Sequence, residues 1–305
     1  MVSINVLNLS NPARGNLLAA FSFVLWGILP LYYQLLPGAE IFELLAFRVI
    51  WSVPVMIVAM LLLRRALPDW QTLWADKRSL LLSFVAGAVM CISWASFTWA
   101  LTHGQVLAAS LGFFINPLFA IAFGVLFLHE KLSKAQAAAV VLAALGIAWQ
   151  VWQYGELPWV SLAMGSFFAL YGLIKKFIRY DSYTTLTLEA ALLSPFALIY
   201  LGYLVFTGQS AAGADGLTGV LLYIGSAPIT LAPLILFSLA LRYTSLTMVG
   251  LMQYIEPTLQ FLLAVLLFGE VFDEVKAVSF GLIWAGLILC SLEALPKLRR
   301  HWRRA

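Results

Sequence analysis

The amino-acid sequence predicts an all-α polytopic membrane protein built of ten transmembrane helices. Hydrophobic residues make up 63% of the chain and charged residues only 10%, whereas soluble proteins carry about 45–50% apolar and about 25% charged residues. Short polar breaks divide the chain into long apolar stretches. Because a hydrocarbon core about 30 Å thick takes roughly 20 helical residues to cross, the 305 residues provide about ten crossings and leave only short loops.

Each predicted helix is an apolar stretch between two polar breaks. The first five lie near residues 16–36, 41–63, 79–101, 105–128 and 135–152, and the second five near 158–173, 184–206, 217–239, 245–268 and 275–292. The stretches are apolar all round and do not alternate with period two, so neither one-faced core helices nor the strands of a membrane barrel fit them. The first stretch is longer than the apolar core of a signal peptide, and we expect it to be retained.

The distribution of basic residues predicts that both termini are cytoplasmic. In this orientation nearly all lysines and arginines fall on the inside, where the short loops of membrane proteins concentrate them. The exceptions are Arg48, within a span, and Lys276, on an outer turn. Because the basic residues orient the chain, the net charge of +4 does not predict a nucleic-acid partner. The expected partners are the lipid bilayer and a small-molecule solute, and a homodimer is left open.

The second half of the chain repeats the first. The segment SLGFFINPLFAIAFGVLFLHE surrounds Asn116, and GLMQYIEPTLQFLLAVLLFGE surrounds Glu256 at a shift of 256 − 116 = 140 residues. The same shift places Glu130 on Glu270. We therefore expect two repeats, residues 1–153 and 154–305, with five helices each. Because five is an odd number, the second repeat enters the membrane from the opposite side, and the two are inverted.

Inverted repeats are typical of secondary transporters, in which two near-equivalent halves expose one central site to either side of the membrane in turn. The sequence has no phosphate-binding loop of the G-x-x-x-x-G-K-[ST] type. Its two cysteines and three histidines form neither a disulfide framework nor a metal-ligand spacing. We therefore expect a permease without a cofactor rather than an enzyme. A facilitated-diffusion carrier and a non-transporting scaffold or signalling protein are the alternatives.

Three polar residues within predicted spans are candidates for substrate binding. Glu256 lies at midplane depth, where a carboxylate costs about 3 kcal/mol and would serve a proton or a cation, unless it only caps carbonyls freed by the proline that follows. Asn116 is its counterpart in the first repeat and suits helix–helix bonding equally well. Arg48 lies two turns into the second span, where an anionic solute group or an ion pair with Glu43 or Glu256 would hold it.

Other residues within the spans complete the set of candidates. Pro117 and Pro257 each remove a helical hydrogen bond and are predicted helix breaks. Glu43 and Glu189 are predicted near opposite membrane faces, as interfacial residues or as gates. Lys175 ends the sixth span and is predicted to anchor the topology, the alternative being that it turns inward. A central pocket is predicted to be lined by four deep aromatic residues, Trp26, Trp94, Tyr171 and Tyr254.

Four segments carry a family resemblance: FRVIWS at 47–52, ASLGFFINP at 109–117, YGLIKK at 171–176 and QYIEPT at 253–258. Together they resemble the RarD-type permeases of the EamA branch of the drug/metabolite transporter superfamily. The resemblance implies two inverted five-helix halves in a bacterial inner membrane that move small organic solutes, with chloramphenicol as the compound attached to the family's name. It adds Gln253 to the substrate-binding candidates. The chain departs from the RarD pattern at Glu256, where that pattern can have glycine.

Overall fold

The computed structural model describes residues 11–36, 39–67, 69–102, 106–155, 159–213, 216–267 and 274–302. These ranges contain thirteen α-helices and no β-strand, which confirms the all-α prediction. The helices are α1 (Asn11–Ile28), α2 (Pro30–Tyr33), α3 (Ile41–Leu62), α4 (Trp70–Ala75), α5 (Lys77–Thr102), α6 (Val106–Leu128), α7 (Lys134–Tyr154), α8 (Trp159–Phe177), α9 (Ser182–Thr207), α10 (Gly216–Tyr243), α11 (Leu246–Gln253), α12 (Ile255–Leu266) and α13 (Glu274–Trp302).

Each predicted span coincides with one helix or with two consecutive helices. The ten spans correspond, in order, to α1 with α2, α3, α5, α6, α7, α8, α9, α10, α11 with α12, and α13. Within the described ranges, seven segments are long and apolar enough to cross a membrane, and Gly112–Leu128 and Ala277–Cys290 are shorter apolar helices. The chain is therefore a multi-pass membrane protein, and the count of ten crossings stays a prediction.

Side-chain caps and left-handed residues set the ends of several helices. At the start of α7, the Ser133 hydroxyl accepts from the Gln136 N–H and the Gln136 side chain accepts from the Ser133 N–H. The Asp181 carboxylate caps α9 by accepting from two backbone N–H groups. Gly208, with φ of 68°, ends α9 in a conformation that other residues rarely adopt. These polar positions are the breaks that separate the apolar stretches in the sequence.

The two prolines that were predicted to break helices behave differently. Helix α6 continues through Pro117 from Val106 to Leu128, so the predicted break at Pro117 is not present. Pro257 follows an actual break, because α11 ends at Gln253 and α12 begins at Ile255. A proline has no N–H to give the carbonyl four residues earlier, and its ring clashes with that carbonyl. For Pro257 this carbonyl belongs to Gln253, where the helix stops.

The packing of the helices is symmetric under exchange of the two halves. In this exchange α1 corresponds to α8, α3 to α9, α5 to α10, α6 to α11 with α12, and α7 to α13. Three of these helices pack directly on their counterparts: α3 on α9, α7 on α13, and α6 on α11. The other principal contacts each have a counterpart in the opposite half. The contact of α6 with α8 matches that of α12 with α1, the contact of α5 with α8 matches that of α10 with α1, and the contact of α10 with α3 matches that of α5 with α9. This is the arrangement that a two-repeat fold requires.

One end of the bundle, the Glu43 end, is formed by residues 39–41 and 208–213. The Glu43 side chain is 1% exposed and accepts hydrogen bonds from the Ser210 hydroxyl and from the N–H groups of Ala211 and Ala212. The Tyr223 hydroxyl accepts from the Glu40 N–H. These bonds fix the α9–α10 loop of the second half against the start of α3 in the first half.

The opposite end, the Lys175 end, is formed by residues 69–76 and 178–181. There the Tyr180 hydroxyl hydrogen-bonds to the backbone oxygens of Leu73 and Asp76. The Glu130 carboxylate accepts from the first two N–H groups of α11. Both ends of the bundle are thus held by bonds between the two halves.

The exterior of the bundle is apolar and its interior holds polar and charged groups. On α9 the outward residues include Ile199, Val205 and Phe206, which is 93% exposed. Arg48, Glu43 and other ionisable residues are buried instead. This distribution is the reverse of a soluble protein's and suits a lipid surround, in which intramembrane charges face the protein interior.

Candidate functional site

A cavity of about 380 Å³ lies inside the bundle and reaches residues 39–41 at the Glu43 end. Its walls come from α1, α2, α3, α5, α6, α8 and α12, so both halves contribute. Most of the lining is apolar or aromatic, as in sites for small organic ligands. Four of its residues carry the charge and amide chemistry that fixes a ligand's orientation: Arg48, Asn116, Glu256 and Gln260.

Five of the eight residues predicted to bind substrate line this cavity. They are Trp26 on α1, Arg48 on α3, Trp94 on α5, Asn116 on α6 and Glu256 on α12. The repeat-related residues Asn116 and Glu256 therefore belong to one site. Their role in binding stays a prediction.

Arg48 is buried, with 7% of its surface exposed, and its guanidinium carbon lies 4.0 Å from the centre of the Trp94 ring. The expected ion pair with Glu43 or Glu256 is absent, since no carboxylate of the described residues lies within 4.0 Å of the guanidinium. Glu43 precedes Arg48 by five residues on α3, a spacing that does not put two side chains on one helix face. Its carboxylate bonds to the α9–α10 loop instead.

Glu256 is in the first turn of α12, next to the helix break. The Gln260 amide, one turn further along, donates to its Oε1 at 3.3 Å, and both residues line the cavity. Asn116 Oδ1 and the Tyr33 hydroxyl, on residues of the same wall, have no hydrogen-bond partner within the described part of the chain. The cavity thus combines mostly apolar walls with a few polar side chains.

Gln253 and Tyr254 do not line this cavity, and their role in binding stays a prediction. Tyr254 is 1% exposed and packs with Phe114 and Phe280 in a separate core cluster. Gln253 is also buried. Tyr254 precedes Glu256 by two residues, a spacing that turns the side chain by about 200°, and Gln253 lies in α11, before the helix break.

A second, smaller cavity of about 80 Å³ lies beside the first. Tyr171, predicted to line the central pocket, lines this one instead, together with Cys91 and Glu189. Arg48 and Trp94 line both cavities. The stacked pair therefore forms part of the wall that separates them.

Lys175 and Glu189 form a buried ion pair at the edge of the second cavity. The Lys175 Nζ lies 2.7 Å from Glu189 Oε1, with side chains 3% and 9% exposed, and the Tyr171 hydroxyl donates to Glu189 Oε2 at 2.9 Å. Lys175 thus takes the inward position that was the alternative to a topology anchor, and Glu189 is not interfacial, while its role as a gate stays a prediction. Both turn inward, because a charge inside a membrane protein is stabilised by an opposite charge.

The sequence analysis missed several rings and one hydroxyl that line the large cavity. They are Tyr33, Phe97, Phe113 and Phe168. Phe97 follows Trp94 by three residues, and Phe113 precedes Asn116 by three, so each shares a helix face with a predicted site residue. Helical spacing was the signal that would have identified these two.

Comparisons with known proteins agree with this architecture. The EamA-like transporter family matches residues 13–152 and again 157–292. The uncharacterized transporter YojE of Bacillus subtilis is 38% identical over 96% of both chains. Protein RarD of Escherichia coli is 36% identical over 94% of this chain and 97% of its own. The chloramphenicol-sensitive protein RarD of Pseudomonas aeruginosa is 30% identical over 95% and 98%.

One solved crystal structure has the same fold, with a TM-score of 0.68 over 92% of this chain and 98% of the other at 18% identity. The likeness covers both halves of the bundle. The family matches and the full-length relatives together show that this chain belongs to the EamA-like transporter family, as a RarD-type member.

Proposed function

We propose that this protein is a secondary-active permease of the bacterial inner membrane that moves a small organic metabolite or drug-like solute by alternating access, coupled to protons. The observation that carries the proposal is the cavity of about 380 Å³, walled by helices of both halves and lined by Arg48, Asn116 and Glu256 among aromatic rings. A charged, ring-lined space inside a membrane bundle suits a transported solute better than a purely structural role.

The two cavities suggest where the alternation takes place. The large cavity reaches the Glu43 end, whereas the small one lies towards the Lys175 end, next to the pair of Lys175 and Glu189. Moving a solute onward requires the wall that contains Arg48 and Trp94 to open and the ion pair to part. In inverted repeats, exchange of the two halves' conformations produces such a step.

We place both termini in the cytoplasm, on the strength of the basic loops, with residues 1–153 and 154–305 as the two repeats. In this orientation the large cavity opens to the outside, and the Lys175 end faces the cytoplasm. Glu256 is the proposed proton site. A carboxylate in a desolvated cavity favours its neutral form, so a proton and a solute can act on it in turn.

The experiment is transport by purified protein in liposomes, with Glu256→Gln as the test variant and Glu274→Gln, which removes an exposed carboxylate, as the matched control. The labelled probes are chloramphenicol, amino acids, nucleosides and cationic dyes. We expect the wild type and Glu274→Gln to respond to an imposed pH gradient. Glu256→Gln should lose that response and keep exchange of solute across the membrane.

Each contrary outcome removes a defined part of the proposal. Uptake by Glu256→Gln that follows the pH gradient at the wild-type rate would exclude coupling through this residue and favour facilitated diffusion. Failure of the wild type to exchange any of the probes would favour the scaffold alternative.

A further inference from the structure

Arg48 is the charged residue of the two cavities that has no opposite charge in contact with it among the described residues. Among the described lining residues, the large cavity holds Arg48 and Glu256, and the small one Arg48 and Glu189. Glu189 is bonded to Lys175, and Glu256 accepts from Gln260. No carboxylate of the described residues is within 4.0 Å of the Arg48 guanidinium, and no described backbone or side-chain oxygen accepts from it.

A guanidinium in this position calls for an anionic partner. Arginine cannot be deprotonated in proteins, and a buried charge without a partner is costly. The Trp94 ring covers one side of the Arg48 guanidinium at 4.0 Å, which stabilises the cation but takes up none of its N–H donors. The donors of arginine form a planar fork that matches the two oxygens of a carboxylate.

The surroundings of Arg48 indicate what the rest of such a ligand looks like. Trp26, Trp94, Phe97, Phe113 and Phe168 line the same cavity. Aromatic walls favour a ring or another flat apolar group by stacking and burial. The combination of one unpaired guanidinium and these rings selects a compound that has an apolar ring at one end and a carboxylate at the other.

Resting on the proposed function, we infer that Arg48 binds the carboxylate of the transported solute and that the substrate class is ring-bearing organic acids. Arg48 lines both cavities, so the same side chain is within reach of a carboxylate in either one. Glu256 then determines which charge the rest of the solute carries. A protonated Glu256 favours a solute that is a simple anion, and an ionised Glu256 accepts hydrogen bonds from the ammonium group of a zwitterion.

Four probes with the same phenyl ring separate these chemistries. 3-Phenylpropionate carries the carboxylate alone, 3-phenylpropionamide is its neutral counterpart, 2-phenylethylamine carries the cation alone, and phenylalanine is the zwitterion. Binding to the purified protein in nanodiscs is measured by calorimetry. We expect 3-phenylpropionate to bind at least about tenfold more tightly than the amide and the amine. The affinity of phenylalanine relative to 3-phenylpropionate tells whether the natural solute is a zwitterion or an anion.

The variants test whether Arg48 makes the distinction. Arg48→Gln should abolish the preference for 3-phenylpropionate over its amide. Arg48→Lys keeps the charge and serves if Arg48→Gln does not fold, and it should weaken the preference. Arg65 is the matched control, since it stacks on Tyr183 at 4.8 Å but is exposed and outside both cavities. Arg65→Gln should change nothing.

The outcomes that overturn the inference differ from those that overturn the proposed function. Tighter binding of the amine than of the acid, a preference that survives Arg48→Gln, or no binding of any of the four probes would refute carboxylate recognition even if chloramphenicol is exchanged across liposomes. Binding of the acid without exchange of any solute would refute the permease and leave the carboxylate site intact.

Discussion

The buried pair of Lys175 and Glu189 gives the most direct test of how the Lys175 end is held together. Their charged atoms lie 2.7 Å apart, with side chains 3% and 9% exposed, and the Tyr171 hydroxyl completes the bonding of the carboxylate. Glu189→Gln removes one charge and leaves the other without a partner. Breaking a buried pair in this way costs roughly 3–5 kcal/mol, so we expect a loss of unfolding free energy of that size.

Removing both charges should cost much less than the sum of the single losses. Replacement of a whole buried pair by uncharged groups of similar volume is often close to neutral. The double variant Lys175→Met with Glu189→Gln should therefore be more stable than either single variant. The coupling energy is then larger than either single loss, at or above the upper end for residues in contact, about 3 kcal/mol.

The assay is denaturant-induced unfolding of the purified protein in detergent micelles for the wild type, both single variants and the double variant. Glu274→Gln, at an exposed position, serves as the control and should stay within about 0.5 kcal/mol of the wild type. Single losses that simply add in the double variant, to within about 0.5 kcal/mol, would refute the reasoning that the two charges stabilise each other.

Three further predictions concern topology, packing and pH. A cysteine at Gln209 should react with an impermeant reagent from outside the cell and one at Gln71 only from the cytoplasm, and the reverse result would invert the proposed orientation. Gly250→Ala should lower the free energy of unfolding by about 1–3 kcal/mol, because its Cβ would lie 2.9 Å from a backbone oxygen of α6. The Cβ of Gly202→Ala meets nothing within 4 Å, so this variant should gain about 0.5–1 kcal/mol. Equal effects of the two variants on thermal unfolding would count against close packing at Gly250. A backbone N–H bonded to the Asp76 carboxylate holds its pKa below the ordinary value, so its stabilisation is full above about pH 3.9 and lost as the pH falls through the lower folded value. Asp76→Asn should remove that acid dependence, and an unchanged acid limb in unfolding titrations would contradict it.

The positions of the helices followed from the sequence because lipid leaves the backbone little choice. Every N–H and C=O group in the hydrocarbon core must be bonded within the chain, so long apolar stretches become helices. The apolar stretches did not show which of the two prolines breaks its helix. Pro117 and Pro257 stand in equivalent sequence contexts, yet only the second follows a break. The local sequence therefore does not decide which of the two prolines follows a break.

Depth in the membrane was more predictable than the direction in which a side chain points. Arg48, Asn116 and Glu256 were singled out for their depth and all line the large cavity. Tyr254 has similar depth but is turned by about 200° from Glu256, and Gln253 lies before the helix break. Where no polar face marks the orientation, hydrophobic periodicity carries no information about rotation. Contacts between helices supply it instead.

The ion pair was missed for a related reason. A lysine at the end of a predicted span is typical of a topology anchor, because its neighbours in the sequence lie at the membrane–water interface. Its partner Glu189 lies in the next helix, 14 residues further along, and nothing in either segment shows that the two faces meet. Pairing of charges in a membrane protein is a property of helix packing, so it appears only once the bundle is assembled.

The two ends of the bundle carry different chemistry at related positions. Near the start of each half the repeat has a slightly larger shift, which relates Phe23 to Phe168 and Glu43 to Glu189. The shift of 145 residues places Pro30 at the position of Lys175. The first half therefore has no cation that could pair with Glu43 as Lys175 pairs with Glu189. Glu43 bonds to backbone N–H groups of a loop instead, and the large cavity lies at that end. The end without an ion pair is thus the end at which the cavity reaches the loops.

We expect this asymmetry to set the resting state of the permease. If opening at the Lys175 end costs the 3 kcal/mol or more of a broken buried pair, that state stays near or below about 1% without solute. The native Cys91 lines the small cavity and reports the opening once Cys290 is replaced by serine. In the double variant Lys175→Met with Glu189→Gln, a small impermeant thiol reagent should modify Cys91 from the cytoplasmic side at least about tenfold faster than in the wild type. A tenfold change corresponds to about 1.4 kcal/mol in the free energy of opening. A rate equal to that of the wild type would mean that the pair stabilises the fold without restraining the movement, and the closure of this end would then depend on the packing of α5, α8 and α9 alone.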